Sequence, residues 1–241
     1  MFLKSIRTLI RGYGYDVIKY NHRSNPIARR VKLMSQYKID LVFDVGANTG
    51  QYATNLRTLG YRGRIVSFEP LTSEYKSLVC LADEDPLWET VNIALGDQDG
   101  KAEINIASNS QSSSILDMLP SHTNSAPDSA YVGKEEITIR KIDTIIDEYR
   151  RPANTLYLKI DAQGYEKTII QGAINSLDKI TGIQLEVSLI PLYKGEALLA
   201  DMIDYMSTQG YTLMSLEPGH GDPSTGQLLQ VDCIFFPHNA S

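Results

Sequence analysis

A chain of 241 residues with 42% hydrophobic content is long enough to bury one large core, so a single main domain is expected. No apolar stretch of the sequence is long enough for a signal peptide or a membrane span, and the only cysteines are Cys80 and Cys233, which favours the reducing cytosol. The formal net charge of -6 disfavours nucleic acid as the main substrate.

Positive charge is concentrated in the first 40 residues, which carry nine Lys or Arg against two Asp or Glu. We interpret residues 1–38 as a basic helical arm in front of a main domain at 39–241. The first helix is amphipathic, with an apolar face formed by Phe2, Leu3, Ile6, Leu9, Ile10 and Tyr13, and a basic face formed by Lys4, Arg7 and Arg11. Three partners remain open for this helix: an anionic membrane surface, a second subunit of a homo-oligomer, or the flank of the domain itself. A second helix is predicted at 27–37.

The first strand of the main domain leads into a turn of small residues. The apolar run at 41–45 predicts a buried parallel strand, followed by a turn and a helix at 50–59. In open α/β sheets this is the place where nucleotide-like ligands bind. A dinucleotide fingerprint would need glycines where Asn48 and Gln51 stand, so NAD is disfavoured. The structural alternative is an ordinary strand, turn and helix with Asp44 as the N-cap.

A second acid follows at the spacing of a cofactor site. The strand at 64–69 ends at Glu69, roughly 20 residues after the turn, where an acid can accept hydrogen bonds from both ribose hydroxyls. Together the two features resemble the first motifs of class I S-adenosylmethionine-dependent methyltransferases. Gly46 and Gly50 would then let the backbone approach the ligand closely, and Asp44 would interact with its ammonium group directly or through water.

The chain then leaves its regular alternation for about 40 residues. In order, the sequence predicts a helix over 75–82, a third strand at 91–95 ending at Gly96 and Asp97, and a half-exposed strand at 101–107. The serine-rich stretch at 108–114 is either a flexible linker or a loop that contacts a hydroxyl-rich acceptor through Ser112, Ser113 and Ser114. Residues 118–133 form a long irregular segment, which we interpret as a candidate lid.

The later elements complete an α/β fold. They are a strand at 136–140, helices at 143–149 and 165–177, strands at 156–161 and 183–187, a helix at 196–209, and strands at 211–216 and 228–236. A Pro- and Gly-rich loop that contains His220 joins the last two strands. The pattern predicts a Rossmann-like, doubly wound, seven-stranded sheet that is mostly parallel with an antiparallel closing strand, the layout of class I methyltransferases.

Six motifs together resemble the FkbM family of methyltransferases over about residues 39–236. They are Asp44-Val45-Gly46-Ala47-Asn48-Thr49-Gly50, Phe68-Glu69-Pro70, Ala94-Leu95-Gly96-Asp97, Ser112-Ser113-Ser114, Leu158-Lys159-Ile160-Asp161-Ala162-Gln163-Gly164-Tyr165-Glu166 and Leu229-Gln230-Val231-Asp232. The combination is far more specific than any one motif. Ala162 departs from the family pattern, which often has Val there.

The resemblance implies an S-adenosylmethionine-dependent O-methyltransferase that acts on a hydroxyl of a sugar, glycolipid or glycosylated natural product. Polysaccharide biosynthesis is a typical setting for this family. The implied cofactor-binding residues are Asp44, Gly46, Ala47, Asn48 and Gly50 around the methionine moiety, Glu69 and Pro70 at the ribose, and Ala94, Leu95, Gly96 and Asp97 along the adenine.

Methylation of a hydroxyl needs a group that accepts its proton, or a metal that lowers its pKa. Asp161, at the end of a central strand, fits the base best, with Lys159 and Glu186 holding it or contacting the acceptor. The structural alternative is a buried Lys159–Glu186 ion pair that only sets strand register. Asp161 and Glu186 could also hold Mg²⁺, although no local motif demands a metal.

Two further polar residues have weaker claims to the site. His220 could reach it as an alternative base, although a lone loop histidine is usually exposed. Asp232 we interpret as a satisfied core polar group. The prediction is therefore a cytoplasmic O-methyltransferase, and its rivals are a non-catalytic module that keeps the cofactor pocket and an NAD-linked oxidoreductase.

Overall fold

The computed structural model describes residues 2–238, with side chains from residue 6 onward. The predicted contributions of Phe2, Leu3 and Lys4 to the arm therefore lie outside the described side chains. The helices are α1 (Phe2–Gly12), α2 (Pro26–Gln36), α3 (Gln51–Thr58), α4 (Thr72–Ala82), α5 (Pro120–Ser125), α6 (Ile142–Tyr149), α7 (Glu166–Gln171) and α8 (Leu199–Thr208). The strands are β1 (Leu41–Val45), β2 (Arg64–Phe68), β3 (Trp88–Val91), β4 (Ala94–Gly96), β5 (Gly100–Ala107), β6 (Tyr131–Lys141), β7 (Leu156–Ile160), β8 (Ile180–Ser188), β9 (Tyr211–Pro218) and β10 (Gln230–Pro237).

Seven strands form the central sheet in the order β3-β2-β1-β7-β8-β10-β9. The first five of these run parallel, and β10 runs antiparallel to both of its neighbours. The predicted fold class is confirmed, including the antiparallel closing strand. The strand order changes direction between β1 and β7, and ligands of such sheets bind outside the carboxyl ends of the strands at this point.

Both faces of the sheet are covered because its central strands are apolar on both sides. Alternate residues of β1 point to opposite faces. Leu41 and Phe43 belong to the core that includes α6, α7 and α8, whereas Val42 belongs to the core that includes α2, α3 and α4. Among the described residues, no helix combines the length and apolar character needed to cross a bilayer.

The predicted third strand at 91–95 is wrong, because the chain leaves the central sheet in the middle of it. After β3 ends, Asn92 donates from Nδ2 to the carbonyl oxygens of Glu69 (2.8 Å) and Pro70 (3.0 Å). The chain then enters β4, which pairs with β6 in a separate three-stranded sheet, β4-β6-β5. After this break, Ala94 belongs to the same buried cluster as Leu71, and Leu95 to the same cluster as Phe68.

The predicted arm divides into an exposed part and a packed part. Residues 6–24 have no buried side chain, and Asp16 pairs with Arg7 (2.7 Å) and Arg11 (2.8 Å) inside this stretch. The interpretation that the arm packs on the flank of the domain is therefore wrong for these residues. In contrast, α2 is docked on the domain and buries three side chains, Ala28, Arg30 and Met34.

Candidate active site

A cavity of about 720 Å³ opens at the carboxyl ends of β1, β2, β7 and β8. Most of the predicted site residues line it, namely Gly46, Ala47, Asn48, Glu69, Pro70, Ala94, Leu95, Ser112, Ser113, Ser114, Lys159, Asp161, Glu186 and His220. The predicted cofactor and acceptor residues thus share one space. Four predicted cofactor residues are absent from its wall: Asp44, Gly50, Gly96 and Asp97.

Asp44 is enclosed by protein atoms and has no exposed surface. Its Oδ2 accepts a hydrogen bond from Ser67 Oγ (3.2 Å), and its Oδ1 lies 3.1 Å from Lys159 Nζ. The expected direct contact between Asp44 and a ligand ammonium group is therefore not available in this structure. Its negative charge instead compensates the charge of Lys159.

The glycines of the first turn are required by contacts within the protein. Gly46 and Gly50 have φ of 71° and 94°, the left-handed region that side chains rarely adopt. A Cβ on Gly46 would lie 1.8 Å from the carbonyl oxygen of Asp161, and one on Gly50 would lie 2.9 Å from the Trp88 ring. We expected these glycines to allow a close approach of the ligand, but the atoms that approach them closely belong to the protein itself. At Gly46 it brings the turn after β1 against Asp161.

Glu69 is a buried carboxylate at the nucleoside end of the predicted site. Its Oε2 accepts from the backbone N–H of Asn48 (2.7 Å), and its Oε1 accepts from that of Leu71 (2.8 Å). Burial raises the pKa of Glu69 to about 7, although both N–H donors oppose the rise. Apolar side chains line the cavity nearby: Phe68, Leu71, Ile93 and Leu95. One acid beside an apolar wall suits a ribose joined to a flat ring.

Lys159 lies between two carboxylates at the floor of the cavity. Its Nζ is 3.1 Å from Asp44 Oδ1 and 3.6 Å from Asp161 Oδ2, and the side chain is 6% exposed. Burial disfavours the charged form, but Asp44 and Asp161 outweigh it and hold the pKa of Lys159 above its ordinary value. The register between β7 and β8 places Gln184 opposite Lys159. The predicted Lys159–Glu186 ion pair is therefore wrong.

Asp161 and Glu186 are joined through the amide of Gln163, a residue to which we gave no role from the sequence. Gln163 Nε2 donates to Asp161 Oδ1 (2.9 Å) and to Glu186 Oε2 (2.7 Å), while its Oε1 accepts from the Tyr193 hydroxyl (2.7 Å). Burial, followed by the charge of Asp161, holds the pKa of Glu186 well above its ordinary value. The Lys159 ammonium group lies 3.6 Å from Asp161 Oδ2, so Asp161 is the member of the pair that stands beside a positive charge.

A polar network borders the cavity on the side of α2, and its contacts were not predicted from the sequence. Gln184 donates to Asp232 Oδ1 (2.9 Å), and its Oε1 accepts from the Tyr52 hydroxyl (2.8 Å) and from Arg30 (3.3 Å). Asp232 is satisfied by Gln184, as predicted, but it is a wall residue of the cavity and not a core group. The register between β8 and β10 pairs it with Glu186.

The serine-rich loop is held by its own hydrogen bonds, so the flexible-linker interpretation is wrong. Ser114 Oγ donates to the carbonyl of Gln163 (2.7 Å), and Ser113 Oγ accepts from the Ala107 N–H (3.0 Å). The backbones of Asn105 and Ser114 exchange two further bonds, of 2.9 and 3.1 Å. The loop therefore forms a fixed wall of the cavity beside the turn that carries Gln163.

The predicted lid contains α5, which brings a second histidine to the cavity. His122 is 3% exposed and packs edge-on against Tyr193, with 5.1 Å between ring centroids. Burial, followed by the nearby His220, lowers the pKa of His122 to about 4. His220 is half-buried, with its Nε2 3.4 Å from Ser125 Oγ. It lines the cavity, so the usual exposed position of a loop histidine does not apply.

The carboxylates at the strand ends do not fit a magnesium ion in this arrangement. Within the described part of the chain, no group of three or more His, Cys, Asp or Glu side chains is placed to hold a metal. Mg²⁺ needs oxygen lone pairs around it. Between Asp161 and Glu186, however, the amide N–H groups of Gln163 point at the carboxylate oxygens. We therefore assign no metal to this pair.

A family model described as the methyltransferase FkbM domain matches residues 44–213. A comparison with curated proteins finds no match. Among solved structures, an FkbM methyltransferase from Methylobacillus flagellatus has 17% identity and a TM-score of 0.47, over 82% of this chain and 43% of its own.

Two other solved structures match at lower identity. A precorrin-6y C5,15-methyltransferase from Geobacter metallireducens has 11% identity and a TM-score of 0.43, over 87% of both chains. LepI in complex with SAM has 10% identity and a TM-score of 0.43, over 83% of this chain and 43% of its own. The present chain thus spans less than half the length of LepI and of the Methylobacillus protein.

Proposed function

The chain belongs to the FkbM methyltransferase family, and from that premise we propose that it transfers a methyl group from S-adenosylmethionine to a hydroxyl of a sugar, glycolipid or glycosylated natural product. The observation that carries the proposal is the meeting of two kinds of site in one cavity. At the Glu69 end, an acid lies beside apolar walls. At the Asp161 end, two carboxyl groups are hydrogen-bonded to the amide of Gln163.

The Glu69 end fits the cofactor on its donor set. In the proposal, Glu69 accepts hydrogen bonds from the ribose hydroxyls, and Leu71, Ile93 and Leu95 contact the adenine. Asn48 and Ala47 lie on the turn beside Glu69 and would bind the methionine moiety. When bound, S-adenosylmethionine supplies an electrophilic methyl group on a positively charged sulfur.

The Asp161 end supplies the groups that prepare the acceptor. Asp161 would take the proton from the acceptor hydroxyl, so that the hydroxyl oxygen can accept the methyl carbon while the carbon–sulfur bond of the cofactor breaks and S-adenosylhomocysteine leaves. The Lys159 ammonium group places a positive charge 3.6 Å from Asp161 Oδ2, and Gln163 fixes the orientation of Asp161. Burial holds the pKa of Glu186 well above its ordinary value, and in its protonated form it would donate a hydrogen bond to a neighbouring hydroxyl.

The acceptor class is inferred from the polar groups around Asp161. Carboxylates and amides from three elements meet there: Asp161, Gln163, Glu186, Gln230 and Asp232. Several donors and acceptors in fixed positions match a molecule with several hydroxyl groups, because each hydroxyl can both donate and accept. Ser112 and His220, on the surrounding loops, would contact the same acceptor.

A thermal-shift comparison separates this proposal from an NAD-linked oxidoreductase. A saturating concentration of S-adenosylhomocysteine, about 100 times its Kd, should add about 2.7 kcal/mol of stability and raise the Tm by about 5–10 °C. NAD at the same concentration should leave the Tm unchanged. Stabilisation by NAD alone would reverse the cofactor assignment, while stabilisation without turnover on any acceptor would favour a non-catalytic module.

The raised pKa of Glu69 predicts a pH dependence of cofactor binding. Ionised Glu69 accepts two hydroxyl donors better than protonated Glu69 does, so affinity for S-adenosylhomocysteine should fall below about pH 7, by at most about tenfold per pH unit. The effect on stability has the opposite sign. Because the folded-state pKa exceeds the ordinary 4.5, the contribution of Glu69 to stability is full at low pH and is lost as the pH rises to about 7.

Calorimetric titrations at several pH values check the prediction. Glu69→Gln should bind more weakly, since its amide cannot accept from both backbone N–H donors, and it should show a flatter pH profile because glutamine does not titrate. The matched control Glu84→Gln, which changes an exposed carboxylate, should keep the wild-type profile. An unchanged profile in Glu69→Gln would assign the titration to another group.

A further inference from the structure

The stretch at residues 6–24, here called the N-terminal segment, exposes large apolar side chains that the domain does not cover. Six of the thirteen exposed large hydrophobic residues of the described chain lie within it: Leu9 (65%), Tyr13 (77%), Tyr15 (73%), Val17 (58%), Ile18 (52%) and Tyr20 (60%). The other seven are scattered between Leu81 and Leu228. Such a concentration over twelve residues marks an interaction surface.

The N-terminal segment is also basic, in contrast to the rest of the chain. It carries Arg7, Arg11, Lys19 and Arg23 against one acid, Asp16. Both Arg7 and Arg11 bond to Asp16, and these bonds hold the pKa of its carboxyl well below the ordinary value. From residue 41 onward, 27 Asp or Glu stand against 14 Lys or Arg. The body of the protein therefore repels an anionic surface, whereas the segment is attracted to it.

We propose that the N-terminal segment docks the protein on a lipid bilayer that contains anionic head groups. Tyrosines and basic side chains interleaved with Leu9, Val17 and Ile18 are suited to the boundary between head groups and acyl chains. Nucleic acid would satisfy the charges but leave the aliphatic groups in water. A second copy of the segment would bury the aliphatic groups but bring like charges together. The repulsion from the acidic body orients the protein with the segment toward the bilayer.

Co-sedimentation with vesicles tests the proposal on the full chain without cofactor or acceptor. Vesicles of phosphatidylcholine with about one third phosphatidylglycerol should bind the protein at least about tenfold more strongly than pure phosphatidylcholine, and added salt should weaken the binding. The double variants Val17→Ser/Ile18→Ser and Lys19→Glu/Arg23→Glu should each lose at least about tenfold in partitioning.

Matched variants on other exposed sites serve as controls. Leu81→Ser/Val132→Ser removes as many exposed apolar groups, and Lys76→Glu/Lys194→Glu reverses as many charges, and both should bind like the wild type. Equal losses in controls and segment variants, or no preference for anionic vesicles, would overturn the proposal. A third result would also overturn it: the protein does not bind vesicles, forms a dimer in light scattering, and loses that dimer in Val17→Ser/Ile18→Ser. Asp161→Asn should still bind vesicles, so failure of this proposal is distinct from failure of the proposed chemistry.

Discussion

Replacing Asp161 by asparagine is expected to lower kcat by about 10²–10⁴-fold while leaving the affinity for S-adenosylhomocysteine nearly unchanged. The substitution keeps the size of the side chain and removes its ability to accept the hydroxyl proton. Asp161 lies at the proposed acceptor end of the cavity, and Glu69, the acid of the proposed cofactor end, follows a different strand. A loss confined to kcat therefore indicates a role in the chemical step.

The measurement is turnover with a methylated-product assay, paired with calorimetric binding of S-adenosylhomocysteine. Asp201→Asn, which removes an exposed carboxylate on α8, controls for the change in net charge and should keep full activity. Activity above about one tenth of wild type in Asp161→Asn would contradict its assignment as the base. His220, which lines the same cavity, would then be the next candidate.

Replacing Lys159 by methionine is expected to cost about 3–5 kcal/mol of unfolding free energy, since one partner of a buried ion pair is removed. Asp44 has no exposed surface, so without Lys159 its carboxylate would be left charged in the protein interior or would take up a proton. The same change removes the cation beside Asp161. We therefore expect turnover to fall as well.

Urea unfolding measures the first effect, and the double variant Asp44→Asn/Lys159→Met provides its control. Asparagine can still accept from Ser67 Oγ and carries no charge, so the double variant should recover part of the stability lost by Lys159→Met. A cost below about 1 kcal/mol for the single variant, or no recovery in the double variant, would show that the Asp44–Lys159 pair does not hold the strands together.

These two variants connect stability and chemistry through one arrangement of charges. In the proposed mechanism Lys159 is a positioning residue, and its ammonium group lies between the buried Asp44 and the cavity carboxylate Asp161. Gln163 completes the arrangement by tying Asp161 to Glu186. The turn that presents Gln163 is itself fixed by Glu166, whose Oε1 accepts from the backbone N–H groups of Ala162 (2.9 Å) and Gly164 (3.2 Å).

The sequence by itself determined the features that depend on residues close together along the chain. The run of β1, its glycine turn and the strand ending at Glu69 follow from apolar periodicity, from the left-handed φ that glycine permits and from the spacing of the motif. The family followed from the combination of such local motifs, and the fold followed from the alternation of strands and helices. The break at Asn92 between β3 and β4 was not predicted, because an apolar run does not reveal which sheet its residues join.

The tertiary structure decided which polar groups meet. The residue types at 159 and 186 suggested an ion pair, but the pairing of β7 with β8 sets Gln184 opposite Lys159, and Glu186 accepts a hydrogen bond from Gln163. The polar residues at alternate positions of β8 and β10 were a visible signal, yet their contacts across strands required the register. Side-chain period is a property of one strand, whereas ion pairs and cavity walls form between strands distant in sequence, and only the folded packing determines their neighbours.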